Sequence, residues 1–597
     1  MIRVSPANTG LACAVFLAFA ATAFAQGTAD GSPLPITPKG APAALDAPPP
    51  ALQEEFAAPA APEAVEEGPV GIEVGKLEEL DPDSGGILDV SMGGLGVDMW
   101  AGTDRASLLR LLPQLPDSYE SPVLYGLARR LLLSTAIAPV RSGGDPETSL
   151  IGLRIERLAA MGLVGAVAEM MAIAPAPETD GGLSRLHIDN RLLLNDNEGA
   201  CKGAAAGATV LDPLYRSQVA IFCSVLAGDK EAAGLGVNLL REGGDLEDSA
   251  FFSLADALTA GTRANVESLT SPTPLHLAMA AAEEAKLPSD VLETRSPLML
   301  RALADSPLVS DSVQLTAAER AAMAGAVAPA SLAERYAAME FSDKELGNAL
   351  SIAESDYSPR NRALLYQAVK LQNLPVAQAA AIHKAWQLAA ADGTYRLGVG
   401  VYQPELEALQ PGAELAWFAP DASRGLFLLD QPDRALAWAA TARRFAKEPE
   451  DRRAAAMLWP LAALAEGSAT GSGHGQWLSA MAEVNAIDAG MKAGFAYSLF
   501  EAMGERISDD RWVALLTGGA RADVLAADPA YMRAFRKAAL GGRRGETVLL
   551  AILILGGGNL SESGPVLLSE IIIGLRKVGL ENEARRLAIE AALAGGL

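Results

Sequence analysis

The chain has 597 residues, of which 50% are hydrophobic and 20% charged, and its formal net charge at pH 7 is -25. This charge argues against DNA, RNA or anionic lipid as the main partner, because those ligands are bound by clustered lysine and arginine. Aromatic residues make up only 5% of the chain, which disfavours a carbohydrate-binding surface built on exposed Trp and Tyr.

Residues 1–25 have the pattern of a secretory signal peptide. Arg3 precedes an apolar stretch from Leu11 to Phe24, and small residues stand at Ala23 and Ala25. The pattern predicts cleavage after Ala25 and export to the periplasm. Later apolar runs are shorter than the roughly 20 residues of a membrane-spanning helix, so no integral membrane segment is expected after cleavage.

Residues 26–86 are rich in Pro, Ala, Gly and acidic residues. A segment of this composition cannot bury enough apolar surface to offset the entropy lost on ordering, so it is predicted to be a disordered linker. It would serve as a spacer across the envelope, as a docking site for a partner, or as a connection with no further role.

Helical periodicity begins beyond this linker. The stretch SPVLYGLARRLLL, which starts at Ser121, places Val123, Leu124, Leu127 and Leu131 on one broad apolar face. Alternation of apolar and polar residues with a period of two is scarce. We therefore predict that residues 87–597 are all-α.

The stretch LAGDKEAAGLGVNLL, residues 226–240, places Gly-Asp between two alanine-rich apolar runs. Glycine and asparagine end helices in the left-handed conformation, and Asp or Pro suits the first turn of the next helix. An alanine a few residues later permits close approach of the two helices. Similar turns are predicted at Gly162, Gly228, Asn373, Gln431 and Gly579.

This pattern of turns and small residues resembles the tetratricopeptide-like α-solenoid proteins. The consensus Trp, Tyr and Pro positions of that family and its 34-residue period are absent. The resemblance implies an irregular α-solenoid of stacked antiparallel helical hairpins over residues 87–597. Internal breaks are expected near residues 262–274 and 466–477, and the last helix is expected to be a terminal cap with one polar face.

Removal of the signal peptide would leave two cysteines, Cys201 and Cys223. In an oxidising compartment such a pair predicts a disulfide; the alternative is two buried free thiols. A zinc site is not expected, because no CxxC motif or neighbouring histidine accompanies the pair.

Motifs for catalysis or cofactor binding are sparse. Gly94 and Gly96 lack the third glycine of a dinucleotide fingerprint, and the four histidines show no short metal-binding spacing. The acidic stretch Asp81–Gly86 lacks the later ligands of an EF-hand loop and is interpreted as a solvated turn. No cofactor, metal or enzymatic activity is predicted.

One stretch resembles an enzyme family. AESDYSPRNRALLYQ, residues 353–367, is similar to the first motif of the soluble lytic transglycosylases, which would make Glu354 the general acid that protonates the glycosidic oxygen. The second and third motifs of that family are not found. The alternative interpretation is a helix that starts at Ser358-Pro359 after a turn.

These observations favour a secreted, periplasmic α-solenoid that binds a protein or peptide partner in a groove between helical pairs. The first alternative is a peptidoglycan lytic transglycosylase-like enzyme with Glu354 as the acid. The second alternative is a passive spacer of the cell envelope.

Overall fold

A computed structural model describes residues 81–142, 148–175, 179–244, 246–469, 473–516 and 528–597. Its contacts divide the chain into two units, residues 1–77 and 78–597. The predicted signal peptide, and the predicted linker up to residue 80, lie outside the described residues. All of the described residues belong to the second unit.

The described part of the second unit is all-helical and has no β-strand, which confirms the predicted all-α class and is consistent with an α-solenoid-like fold. Its single isolated β-bridge joins Leu88 to Ser134. Among these helices, none is both long enough and apolar enough to cross a membrane. Short 3₁₀ helices span Pro82–Ser84, Leu112–Gln114, Ser289–Glu293, Ala413–Leu415 and Leu560–Glu562.

The α-helices are numbered in chain order. The first ten are α1 (Arg105–Leu111), α2 (Pro122–Leu133), α3 (Leu150–Ala160), α4 (Val164–Ile173), α5 (Gly181–Leu193), α6 (Asn197–Ala206), α7 (Pro213–Leu226), α8 (Lys230–Gly243), α9 (Ser249–Ala260) and α10 (Pro274–Ala282).

The next ten are α11 (Pro297–Ala304), α12 (Asp311–Met323), α13 (Pro329–Ala338), α14 (Asp343–Gly347), α15 (Ala349–Ser355), α16 (Pro359–Lys370), α17 (Pro375–Ala391), α18 (Tyr395–Val401), α19 (Gln403–Ala408) and α20 (Ala419–Leu428).

The last ten are α21 (Pro432–Phe445), α22 (Pro449–Ala456), α23 (Trp459–Glu466), α24 (Gly473–Val484), α25 (Ala486–Ala502), α26 (Asp509–Leu515), α27 (Pro529–Leu540), α28 (Arg544–Leu555), α29 (Pro565–Lys577) and α30 (Glu581–Ala594).

Many helices have proline in their first turn, and in several of them a capping side chain precedes it. At α2 the Ser121 hydroxyl accepts a hydrogen bond from the Leu124 N–H, and at α7 the Asp212 carboxylate accepts one from the Tyr215 N–H. Proline in the first turn does not remove a hydrogen bond from the helix, because an N–H at that position would have no partner within the helix. These signals set where the helices start.

A single turn recurs between successive helices. In seven connections of the described chain, three residues separate two helices that pack together, and the middle residue has φ between 57° and 82°. In each turn the N–H of the third residue donates to the carbonyl five positions back, which is the closing hydrogen bond of a Schellman cap. The middle residues are Gly162, Asn195, Gly228, Gly393, Asp430, Gly542 and Gly579.

Three of the five predicted turn positions, Gly162, Gly228 and Gly579, are therefore confirmed as left-handed turn residues. At Gln431 the prediction is one residue late, since Asp430 takes the left-handed conformation. Asn373 is not left-handed, because four residues separate α16 from α17 and the longer connection reverses the chain without such a residue.

Helices from the two ends of the unit pack against each other. α2 contacts α28 and α30, and α30 also contacts α20, α23, α25 and α29. Across this contact Arg130 forms an ion pair with Glu583, and the Glu120 N–H donates to the Gly557 carbonyl at 2.8 Å. The expectation that the last helix is a terminal cap is wrong, because its alanines allow neighbours to approach from several sides.

The stretch Asp81–Gly86 belongs to the helical unit. Asp83 is only 3% exposed, forms an ion pair with Arg105 and accepts a hydrogen bond of 3.0 Å from the Ile151 N–H. Burial alone would raise the pKa of Asp83, but these two donors and Arg141 hold it below its ordinary value. The interpretation of this stretch as a solvated turn is wrong.

The first expected break is a loop, whereas Gly473–Trp477 of the second, near residues 466–477, belong to α24. Helix α9 ends at Ala260 and α10 begins at Pro274, while α23 ends at Glu466 and α24 begins at Gly473. Residues 470–472 of the second loop lie outside the described residues. Both loops fall within the single contact unit of residues 78–597.

Candidate binding grooves

The two cysteines lie on consecutive helices. Cys201 in α6 and Cys223 in α7 have their sulfur atoms 2.00 Å apart and their Cα atoms 5.7 Å apart, so the structure joins them in the disulfide that the sequence predicts. The bond ties two hairpins together, because α6 belongs to the α5–α6 pair and α7 to the α7–α8 pair.

An open groove lies between the C-terminal end of α5 and helices α10 and α11. Its volume is about 790 Å³. We call it the apolar groove and define it by Leu192, Leu194, Leu277, Ala281, Leu298 and Leu308, which line it together with the polar residues described below.

Leu194 is the most exposed large apolar side chain of this groove. It is 60% exposed, whereas Leu192, Leu277 and Leu308, which also line the groove, are buried. Leu194 occupies the first position of the three-residue turn after α5, directly before the left-handed Asn195. Exposed apolar area of this kind inside a concave surface is typical of a binding site.

Charged residues form the rim of the apolar groove. Lys286 donates to the Pro307 carbonyl at 2.8 Å, and Arg301 donates to the Ala326 carbonyl at 2.9 Å, so both have structural partners. Arg263 and Glu284 are exposed, and within the described residues neither side chain makes a hydrogen bond or an ion pair. They are left to interact with a partner.

Glu284 has an unusual backbone conformation. Its φ is 51°, and it stands just beyond the end of α10, where the Ala285 N–H donates to the Ala280 carbonyl. Glycine usually occupies this position, since any Cβ there meets the neighbouring carbonyl. Glu284 thus keeps a strained backbone while its carboxylate stands at the groove rim.

Glu354 does not line the apolar groove. It is in α15, its side chain is 46% exposed, and its carboxylate pairs with Lys384 at 2.8 Å. The residue lacks the apolar enclosure in which a carboxyl group acts as a general acid. Helix α16 begins at Pro359 after Ser358, as the alternative interpretation of this stretch has it.

The four histidines are far apart and each has a local partner. His187 pairs with Arg191, His276 with Asp248, His383 with Asp421 and His474 with Tyr497. Within the described ranges, no three His, Cys, Asp or Glu side chains are placed to hold a metal ion.

Sequence reasoning missed Leu194, Glu284 and Arg263. A usable signal exists for the first, because Leu192, Leu193 and Leu194 are consecutive and three successive helical positions cannot all point to one buried face. No local signal marks the other two residues, since each is an ordinary charged residue whose position depends on packing between α5, α10 and α11.

Comparison with models of known protein families, with curated proteins and with solved structures finds no significant match to this chain.

Proposed function

We propose that residues 78–597 form a helical scaffold that binds a protein or peptide partner in the apolar groove. The supporting observation is Leu194, which is 60% exposed in a groove that is also lined by the buried Leu192, Leu277 and Leu308. A partner that covered Leu194 would gain about 25 cal/mol for each Å² of apolar surface removed from water. The signal-peptide pattern of residues 1–25 supports a periplasmic location.

The groove has the makeup of a protein interface. Apolar side chains lie at its centre, and unpaired charges of opposite sign, Arg263 and Glu284, stand at its rim. Interfaces commonly combine an apolar centre with a polar rim that sets orientation. A passive spacer needs no such surface, and the exposed, Lys384-paired Glu354 offers no support for transglycosylase activity.

Affinity purification from envelope extracts with two matched variants tests the proposal. Leu194→Asp places a charge in the groove, whereas Leu540→Asp makes the same change at a 74% exposed leucine at the end of α27. We expect the wild type and Leu540→Asp to recover the same partner, and Leu194→Asp to recover it at least about tenfold less, since an unpaired carboxylate is costly to bury.

Equal recovery by all three proteins would show that the partner binds elsewhere. Recovery of no reproducible partner, with or without cross-linking, would contradict a binding role for this groove.

A further inference from the structure

A second groove lies on different helices. It runs between α21 and α22 on one side and α24 on the other, with α23 at its base, and its volume is about 730 Å³. We call it the basic groove and define it by Arg443, Arg452, Arg453, Trp459, Gln476 and Glu483.

Each wall presents its lining residues at helical spacing. Arg443 lies four residues after Ala439 on α21, and Gln476, Ala480 and Glu483 follow the same face of α24. Residues three and four apart share a helix face, so each wall is a continuous stripe. The groove is therefore a surface shared by several helices and not a gap beside a single side chain.

The charge of this groove opposes that of the whole chain. Three arginines line it, against the one acidic side chain that the described lining contains, Glu483, whereas the chain as a whole carries a net charge of -25. Pro449 at the start of α22 lines the groove, but the acidic residues of that turn, Glu450 and Asp451, do not; the Asp451 carboxylate accepts hydrogen bonds from the Lys447 and Glu448 N–H groups.

The three arginines differ in availability. Arg452 donates to the Lys447 carbonyl, and Arg453 lies 3.6 Å from Glu483 across the groove. Arg443 is exposed, and within the described residues its guanidinium makes no hydrogen bond or ion pair. A guanidinium in this state can hold a carboxylate through two parallel hydrogen bonds.

The rest of the lining suits a polypeptide. Trp459 is half-buried, and Ala446 and Ala456 add small apolar surfaces beside it. Gln476 and Ser479 line the groove as well, and neither side chain has a hydrogen-bond partner in the described part of the chain. They are placed to bond the backbone of a bound segment while apolar side chains cover Trp459.

We propose that the basic groove binds an acidic peptide segment, with carboxylates on Arg443 and Arg452 and small side chains against Trp459. Extended polyanions fit less well, because the net charge of -25 repels a nucleic acid or an anionic membrane at long range, whereas a short segment meets mainly the local field. The site goes beyond the proposed function and is independent of the apolar groove.

Fluorescence anisotropy of the purified chain with a labelled peptide of alternating glutamate and alanine tests this inference. We expect binding that weakens as salt rises, and no binding of the matching glutamine–alanine peptide. Arg443→Ala should weaken binding about tenfold, the usual effect of losing one charge-assisted contact. Glu483→Gln should strengthen it, since the competing carboxylate is removed.

Arg444→Ala is the matched control, because Arg444 stacks on Phe445, 5.3 Å from the ring centre, and does not line the groove. Leu194→Asp should also leave peptide binding unchanged, which separates this result from the test of the apolar groove. Absence of acidic-peptide binding, equal losses for Arg443→Ala and Arg444→Ala, or comparable binding of duplex DNA or anionic vesicles would overturn the inference.

Discussion

Glu590 connects the last helix to the start of the second one. The Ser121 hydroxyl donates to its carboxylate at 2.7 Å, and the Val123 N–H donates to the same oxygen at 3.4 Å. Burial raises the pKa of Glu590 to about 7, although Ser121, Arg396, Val123 and Arg586 all favour the ionised form. The contact between the two ends of the helical unit therefore contains a carboxyl group that titrates near neutrality.

The sign of this effect on stability is set by linkage. Because the folded state holds the Glu590 proton more tightly than the unfolded state, its contribution to stability is complete below about pH 4.5 and is lost as the pH rises through about 7. Glu590→Gln cannot ionise but can still accept both hydrogen bonds. We expect the free energy of unfolding of the variant, relative to wild type, to rise by up to about 3 kcal/mol between pH 4.5 and pH 8.

Urea unfolding at both pH values measures this difference. Glu267→Gln, at an exposed loop position without a side-chain partner in the described residues, is the control and should show no such rise. A Glu590→Gln difference that does not change with pH would contradict the assignment.

At the scale of secondary-structure elements, the three-residue turns show how much the local sequence can predict. The turns at Gly162, Gly228 and Gly579 could be predicted, because glycine takes positive φ without a steric penalty. Asn195 and Asp430 take the same conformation without glycine, whereas the equally short connections between α15 and α16 and between α21 and α22 have no left-handed residue, so connection length alone does not decide it. Turns of this second kind can only be seen once the helix ends are known.

The end of α10 gives a direct test of the strain that such positions carry. Replacing Glu284 by Gly removes the Cβ from a residue with φ of 51°, and we expect the free energy of unfolding to rise by about 1 kcal/mol. Glu283→Gly is the matched control: Glu283 has φ of -103°, so glycine there should only lower stability, by about 0.5–1 kcal/mol. Urea unfolding of both variants measures the effect, and a loss of stability for Glu284→Gly would contradict the account.

At the scale of the whole helical unit, packing decides what sequence periodicity cannot. The ion pair of Arg130 with Glu583 and the hydrogen bond of Ser121 with Glu590 join residues more than 400 positions apart. Helix faces are visible in the sequence, but which faces meet depends on the whole set of helices. The all-α class and the Cys201–Cys223 disulfide could be predicted from the sequence, whereas the burial of the last helix could not.

Neither groove could be predicted from the sequence. Leu194 follows α5 and Leu277 lies in α10, with four helices between them, while Arg453 and Glu483 meet from α22 and α24. Each groove residue has an ordinary local context, so its role depends on its neighbours in space. The same reasoning explains why the resemblance of residues 353–367 to a catalytic motif carried no information on how Glu354 is surrounded.

Site-specific photo-cross-linking in intact cells tests the binding role of the apolar groove most directly. A photoreactive amino acid at position 194 should give one reproducible cross-linked product with a partner protein, and the same group at position 540, which is exposed outside the groove, should not give it. The same product from both positions, or none from position 194, would contradict the proposal that this groove holds the partner.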